Sequence, residues 1–176
     1  MQLHTSDKQP EELMRKYLLS ICIIFFGGKV QAITPTFSVN QEINFGSVIL
    51  TTGSCSMIPT TGALTYYQGM FICEFPKGAQ NGSYTITANP NKIVQIKMKP
   101  NLDNGNGYMF NPKASVFSDV QQKVIYNNND FVEINSGDSG IINIYLGGDL
   151  TVYNNIPSGQ TINFTFDEAI EWNELD

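Results

Sequence analysis

Apolar and polar residues alternate in short runs over much of the chain, and that period of two restricts what it can become. Phe37-Ser38-Val39-Asn40, Ser83-Tyr84-Thr85-Ile86-Thr87, Ile141-Ile142-Asn143-Ile144-Tyr145 and Gln160-Thr161-Ile162-Asn163-Phe164-Thr165-Phe166 show it, with β-branched and aromatic residues dominating. Successive side chains of an extended chain point to opposite faces, so such runs read as half-buried strands. Further strands are expected at 43–50, 63–67, 70–75, 93–99, 123–126, 131–134 and 150–153. Asn81-Gly82, Asn104-Gly105, Asn106-Gly107, Ser136-Gly137 and Gly147-Gly148 lie between them and supply turns. No window beyond residue 32 has a helical period. Strands recurring every roughly 8–12 residues predict an all-β fold, a single antiparallel β-sandwich of immunoglobulin-like or pilin-like type, in preference to a barrel. The Asn/Gly-rich stretch 100–118, with Tyr108, Phe110 and Phe117, is expected as a long loop or weak hairpin. Glu168, Glu171 and Glu174, beside Trp172, are expected as a charged, solvated tail.

The N-terminal segment sets the compartment. Arg15 and Lys16 precede a nearly apolar run from Tyr17 to Phe26, and Val30-Gln31-Ala32 offers small residues for cleavage. This is the pattern of a secretory signal peptide over 14–32, cleaved after Ala32. Residues 1–13 are polar and read as an upstream extension, with translation expected from Met14. The apolar run is about half of the roughly 20 residues a spanning helix needs, so no membrane span is expected. Cys22 lacks the small preceding residue of a lipidation site, because Ile21 stands there. The expected location is outside the cytoplasm: periplasm, cell surface or extracellular space.

Residues 33–176 form one β-sandwich domain on this reading, long enough to bury a sizeable core. They contain no arginine, and the lysines (Lys77, Lys92, Lys97, Lys99, Lys113, Lys123) are outnumbered about two to one by acids. Nucleic acid is therefore excluded as a partner, since it requires clustered positive charge. Cys55 and Cys73 are the two cysteines left after cleavage, and in an oxidising compartment they are expected to form a disulfide. A crosslink closing so short a loop is worth about 3 kcal/mol.

Gly137-Asp138-Ser139-Gly140 resembles the surroundings of a serine-protease nucleophile, but a serine needs a general base and the one histidine, His4, precedes the signal. A hairpin turn is the better reading. Asp103-Asn104-Gly105-Asn106-Gly107 has one carboxylate and glycines where further ligands belong, so a turn outweighs a calcium site. No catalytic residue, metal or cofactor is assigned, and no enzyme is expected. Tyr66-Tyr67 could form an aromatic platform for a sugar ring, though strand tyrosines more often pack.

Ile33, Pro35, Phe37 and Val39 share one face of an extended segment, opposite Thr34, Thr36, Ser38 and Asn40. This is a candidate donor-strand face: such a segment can complete a neighbour's sheet, as in pilins, or be the first strand of its own sandwich.

Four stretches in this order and spacing, Ile43-Asn44-Phe45-Gly46, Ser83 to Thr87, Leu146-Gly147-Gly148-Asp149-Leu150-Thr151-Val152 and Ile156-Pro157-Ser158-Gly159-Gln160-Thr161, resemble a secreted bacterial family. It is the domain of unknown function four-four-zero-two, similar to pilin and spore-coat-type sandwiches, and the likeness covers nearly all of 33–176. It implies a surface or appendage role without a defined activity. Spore-coat-type pilins carry a cysteine before the Phe-Gly element, whereas here the pair is Cys55 and Cys73. The expected function is an exported, non-catalytic surface, adhesive or pilus-like subunit that partners itself by strand exchange, or other surface proteins. The alternative is a secreted ligand-binding, carbohydrate-binding module.

Overall fold

The structure is a computed structural model that describes residues 32–49, 51–73, 78–99, 101–102, 107–126, 130–155 and 170–176. The chain divides into two compact units, Met1–Ala32 and Ile33–Asp176. Of the expected extension and signal peptide, Ala32 alone is among the described residues. The expected strand at 160–166, Glu168 and most of the Asp103–Gly107 turn also lie outside them.

The second unit is built of strands. In chain order these are β1 (Thr36–Gln41), β2 (Gly53–Met57), β3 (Leu64–Thr65), β4 (Gly82–Thr87), β5 (Ile93–Met98), β6 (Asn101–Leu102), β7 (Tyr108–Phe117), β8 (Gln122–Ile125), β9 (Val132–Asn135), β10 (Ile141–Val152) and β11 (Ile170–Glu174). The strands pair antiparallel in two sheets. The larger runs β1-β4-β10-β2-β3, with β7 also on β10 and flanked by β6 and β8, and the smaller runs β11-β5-β9. Among the described residues no helix is long and apolar enough to cross a membrane.

One buried cluster draws on both sheets, which makes this an all-β sandwich. Tyr84 and Ile86 of β4, Phe110 and Val116 of β7, and Ile142, Ile144 and Leu146 of β10 meet Val94, Ile96 and Met98 of β5, Ile134 of β9 and Ile170 of β11. Alternation places these side chains inward, and each isoleucine removed from water contributes about 2 kcal/mol.

Strand β10 departs from expectation. The sequence suggested two strands separated by a Gly147-Gly148 turn, but the twelve residues of β10 form one strand. One of its edges pairs Ile141–Leu146 with β4 and Gly148–Val152 with β2, while the other pairs Asn143–Val152 with β7. The glycines serve close approach instead of reversal. A Cβ on Gly147 would collide with the Met57 carbonyl, and one on Gly148, at φ 140°, with the Asn111 carbonyl. The strand therefore changes partner where it has no side chains.

Four further expectations need correction. Within 100–118 the hairpin alternative holds, as β6 pairs antiparallel with the start of β7, but 108–117 continue as a ten-residue strand on β10 rather than a loop, because Phe110, Ala114 and Val116 alternate into the core. Glu171 and Glu174 do not lie in a solvated tail: Ile170 is buried and Trp172 packs against the core, so β11 pairs with β5. The segments expected as strands at 43–50 and 70–75 contribute, among their described residues, isolated bridges, Asn44 with Gln80 and Ser54 with Phe71. Gly82 likewise opens β4 rather than completing a turn.

Cys55 and Cys73, 18 positions apart in sequence, are disulfide-bonded with Cα atoms 6.0 Å apart. Both are buried. The bond ties β2 to the segment alongside, where Ser54 N donates to the Met70 carbonyl at 2.8 Å and Ile49 N to the Ile72 carbonyl at 2.8 Å. The Cys55→Ala/Cys73→Ala double variant is expected to lose about 3 kcal/mol of unfolding free energy, read from urea denaturation. An unchanged midpoint would mean that the crosslink constrains nothing the sheet does not.

Candidate functional site

The candidate donor-strand segment lies in its own sheet. β1 pairs with β4 in the register Phe37↔Ile86, Ser38↔Thr85 and Val39↔Tyr84, with a bulge between Val39 and Gln41. Phe37 is half-buried and stacks on Tyr84 at 5.7 Å between ring centroids, with Trp172 at 6.5 Å. Pro35 is half-buried too, whereas Ile33 and Val39 are 43% and 48% exposed. Of the four residues sharing the predicted face, two are therefore partly covered.

Both ends of the segment are fastened by side-chain amides. At the start, Ile33 N donates to Asn89 Oδ1 (2.7 Å) and Asn89 Nδ2 donates to the Ile33 carbonyl (2.9 Å). Asn89 is in turn fixed by the Glu174 carboxylate, which accepts from its backbone N and its Nδ2. At the far end Gln41 Nε2 donates to the Asn81 carbonyl (2.7 Å), and Asn44 and Gln80 exchange two backbone bonds.

The Gly137–Gly140 and C-terminal acidic motifs occupy structural positions. Residues 137–139 form a turn, but it joins β9 to β10 across the two sheets and is no hairpin. Within it Ser139 Oγ accepts from Ile141 N, Ser139 N donates to Asp119 and Asp138 accepts from Asn91. Glu171 pairs with Lys97 at 3.4 Å and Lys99 at 2.9 Å, and the Lys99 ammonium above all holds its carboxyl below the usual range. Among the described residues no group of three or more His, Cys, Asp or Glu is placed to hold a metal ion.

Tyr66 and Tyr67 are exposed after β3, and the Tyr67 ring lies 5.7 Å from Lys113 Nζ. That lysine marks a charge pair that sequence reasoning missed. Asp149, in β10, is 4% exposed and binds Lys113 of β7 at 2.8 Å. Alternation assigns both side chains to the sheet face away from the core, but the contact joins positions 36 apart. A charged residue inside the apolar run 144–152 was the available signal. On the same face Phe117 and Tyr145 meet edge-to-face at 5.7 Å.

Tyr84 is the buried ionisable group behind β1. Burial raises its phenol well above the ordinary tyrosine value, and the Glu42 carboxylate, accepting its hydroxyl at 3.1 Å, raises it further.

No family model, curated protein or solved structure matches the chain. The functional reading therefore rests on the residues themselves.

Two measurements test this geometry. Lys113→Ala leaves the Asp149 carboxylate buried without its cation and is expected to cost about 2 kcal/mol in urea denaturation, a discounted figure because the lysine is partly exposed. Adding Asp149→Asn should restore part of the loss. The Tyr84 phenol keeps its proton in the folded state at pH values where the unfolded chain has lost it. Its contribution is thus present below about pH 10 and declines as pH rises above that value. A stability curve against pH that is as steep in Tyr84→Phe as in the parent would contradict this.

Proposed function

We propose that the chain is an exported, non-catalytic subunit of a surface or appendage structure, adhesive or pilus-like, working in the periplasm, at the cell surface or outside the cell. The observation that carries the reading is β1. It is the first strand of the second unit, begins four residues after the expected cleavage at Ala32, and lies at the end of the larger sheet's order with β4 as its partner. A strand so placed is a part that identical subunits can exchange at low cost, since the ladder within one chain and the ladder between two are the same. The buried disulfide is compatible with export. The resemblance to the four-four-zero-two family and its pilin-like relatives supports the same role, with an immunoglobulin-like or pilin-like sandwich as the scaffold. The partners are further copies of the chain or other surface proteins.

A second reading, a secreted carbohydrate-binding module, is favoured by the exposure of Tyr66 and Tyr67 and by the aromatic pair on the outer sheet face.

The deciding experiment is size-exclusion chromatography with light scattering on the chain from Ile33, beside a version lacking 33–40. Ordered oligomers that disappear on truncation, with the truncated chain capturing a synthetic 33–41 peptide, are the expected outcome. A stable monomer whose truncated form unfolds and captures no peptide would make β1 a purely internal strand and move the binding-module reading ahead.

A further inference from the structure

The two sheets present opposite chemistry to solvent. On the smaller one, Lys97, Lys99 and Glu171 form ion pairs and Gln95 bonds Glu133, an ordinary charged surface. On the larger one, Phe117, Asn143, Thr85 and Ser38 are registered neighbours across β7, β10, β4 and β1. Four strands at about 4.8 Å spacing give this row a length of about 14 Å. Among the described residues of these strands, the charges on this face are Lys113 and Asp149, which neutralise each other. A chain of net charge −6 thus keeps a broad face without net charge.

The polar groups there are already oriented. Asn40 Nδ2 donates to Thr85 Oγ1 (2.9 Å), which donates to Asn143 Oδ1 (3.2 Å). The relay leaves Asn143 Nδ2 as a donor and Asn40 Oδ1 as an acceptor, both on exposed residues. Beside it stands the Phe117–Tyr145 pair, half-buried and locked by its own edge-to-face contact. An aromatic pair fixed edge-to-face, next to preset amide donors and acceptors and with no net charge, complements one class of ligand. A pyranose ring offers an apolar C–H face for the aromatic rings, hydroxyls that both give and accept hydrogen bonds, and no charge. Among the described residues of β1, β4, β7 and β10, an anionic polymer would find no cation without a partner on this face, and a cationic one no unpaired acid.

We propose that this face binds a neutral polysaccharide, with the edge-to-face pair Phe117 and Tyr145 as the aromatic contact for a sugar's C–H face and Asn40, Thr85 and Asn143 as the hydrogen-bonding edge. It deepens the adhesive part of the reading above by naming the receptor's chemistry, and it places the contact on the sheet face instead of at Tyr66 and Tyr67.

The full chain is expressed, and the exported product is run in native gels containing a neutral glucan, mannan, galactan or xylan, with alginate and heparin as anionic controls. Retardation by at least one neutral polymer and by neither anionic one is expected. Tyr145→Ala and Asn143→Asp should each weaken it about tenfold, the loss of one well-made contact. Tyr66→Ala should not change it. Asn143 is exposed, so Asn143→Asp keeps the test open if Tyr145→Ala fails to fold. Lack of retardation by every neutral polymer, equal retardation by alginate or heparin, or undiminished retardation of Asn143→Asp would overturn the proposal. Asn143→Asp leaves β1 and its ladder as they are, so self-assembly and glycan binding can fail separately.

Discussion

The larger sheet depends on β10. Its two edges carry β4, β2 and β7, so one twelve-residue strand holds three others in register while its even-numbered side chains from Ile142 to Leu146, then Leu150 and Val152, enter the core. A strand with a side chain at every position could not do this. β2 and β4 occupy the same edge of β10 in succession, and at the changeover the Met57 and Asn111 carbonyls press on the strand where Gly147 and Gly148 lie. A Cβ at either glycine would displace backbone instead of a flexible side-chain end, so the defect would spread into β2 or β7.

The surroundings of that crossing are tied down accordingly. The disulfide holds β2 to the segment ending at Cys73, and Lys113 clasps Asp149 just past the glycines. Replacing the charge pair by well-packed apolar residues could be as stable, since desolvating two ions offsets much of their attraction. What the pair adds is position: Lys113 opposes Gly147 in the ladder, and reaching Asp149 requires the β7–β10 register as it stands.

Much of this was legible in the sequence where alternation is uninterrupted. The strands at 83–87, 93–98 and 141–145 and the Cys55–Cys73 bond follow from period two and from cysteine number. β7 was obscured because Asn and Gly crowd the residues before it, although Phe110, Pro112, Ala114 and Val116 repeat at every second position and all are buried. β11 was hidden by its glutamates, which suggested solvent while Ile170 and Trp172 faced inward. Gly147-Gly148 misled for a physical reason: glycine permits both a reversal and a close crossing, and local sequence does not distinguish them. The Lys113–Asp149 pair and the Asn40–Thr85–Asn143 relay join strands distant in sequence, so only the register brings them together.

The same limit applies to β1. Alternation specifies which face of 33–41 seeks cover, but not which chain supplies the cover. In the folded unit β4 supplies it, and a strand tethered to its own acceptor competes at an effective concentration of order millimolar. Exchange between copies must therefore come before intramolecular closure, or at comparable local concentration. The export proposed above would meet the first condition, because an exported chain leaves unfolded and a copy already outside could present β4 before the newcomer's own β1 is secured. The Asn89 clasp would then act as a latch on whichever strand arrives, since it bonds backbone N and carbonyl of the incoming segment, whereas the Gln41 clasp travels with β1 and reaches the Asn81 carbonyl of its acceptor. On this argument the clasps control kinetics more than affinity, and the Phe37 ring, lodged between Tyr84 and Trp172, supplies most of the side-chain preference for this segment over any other extended chain.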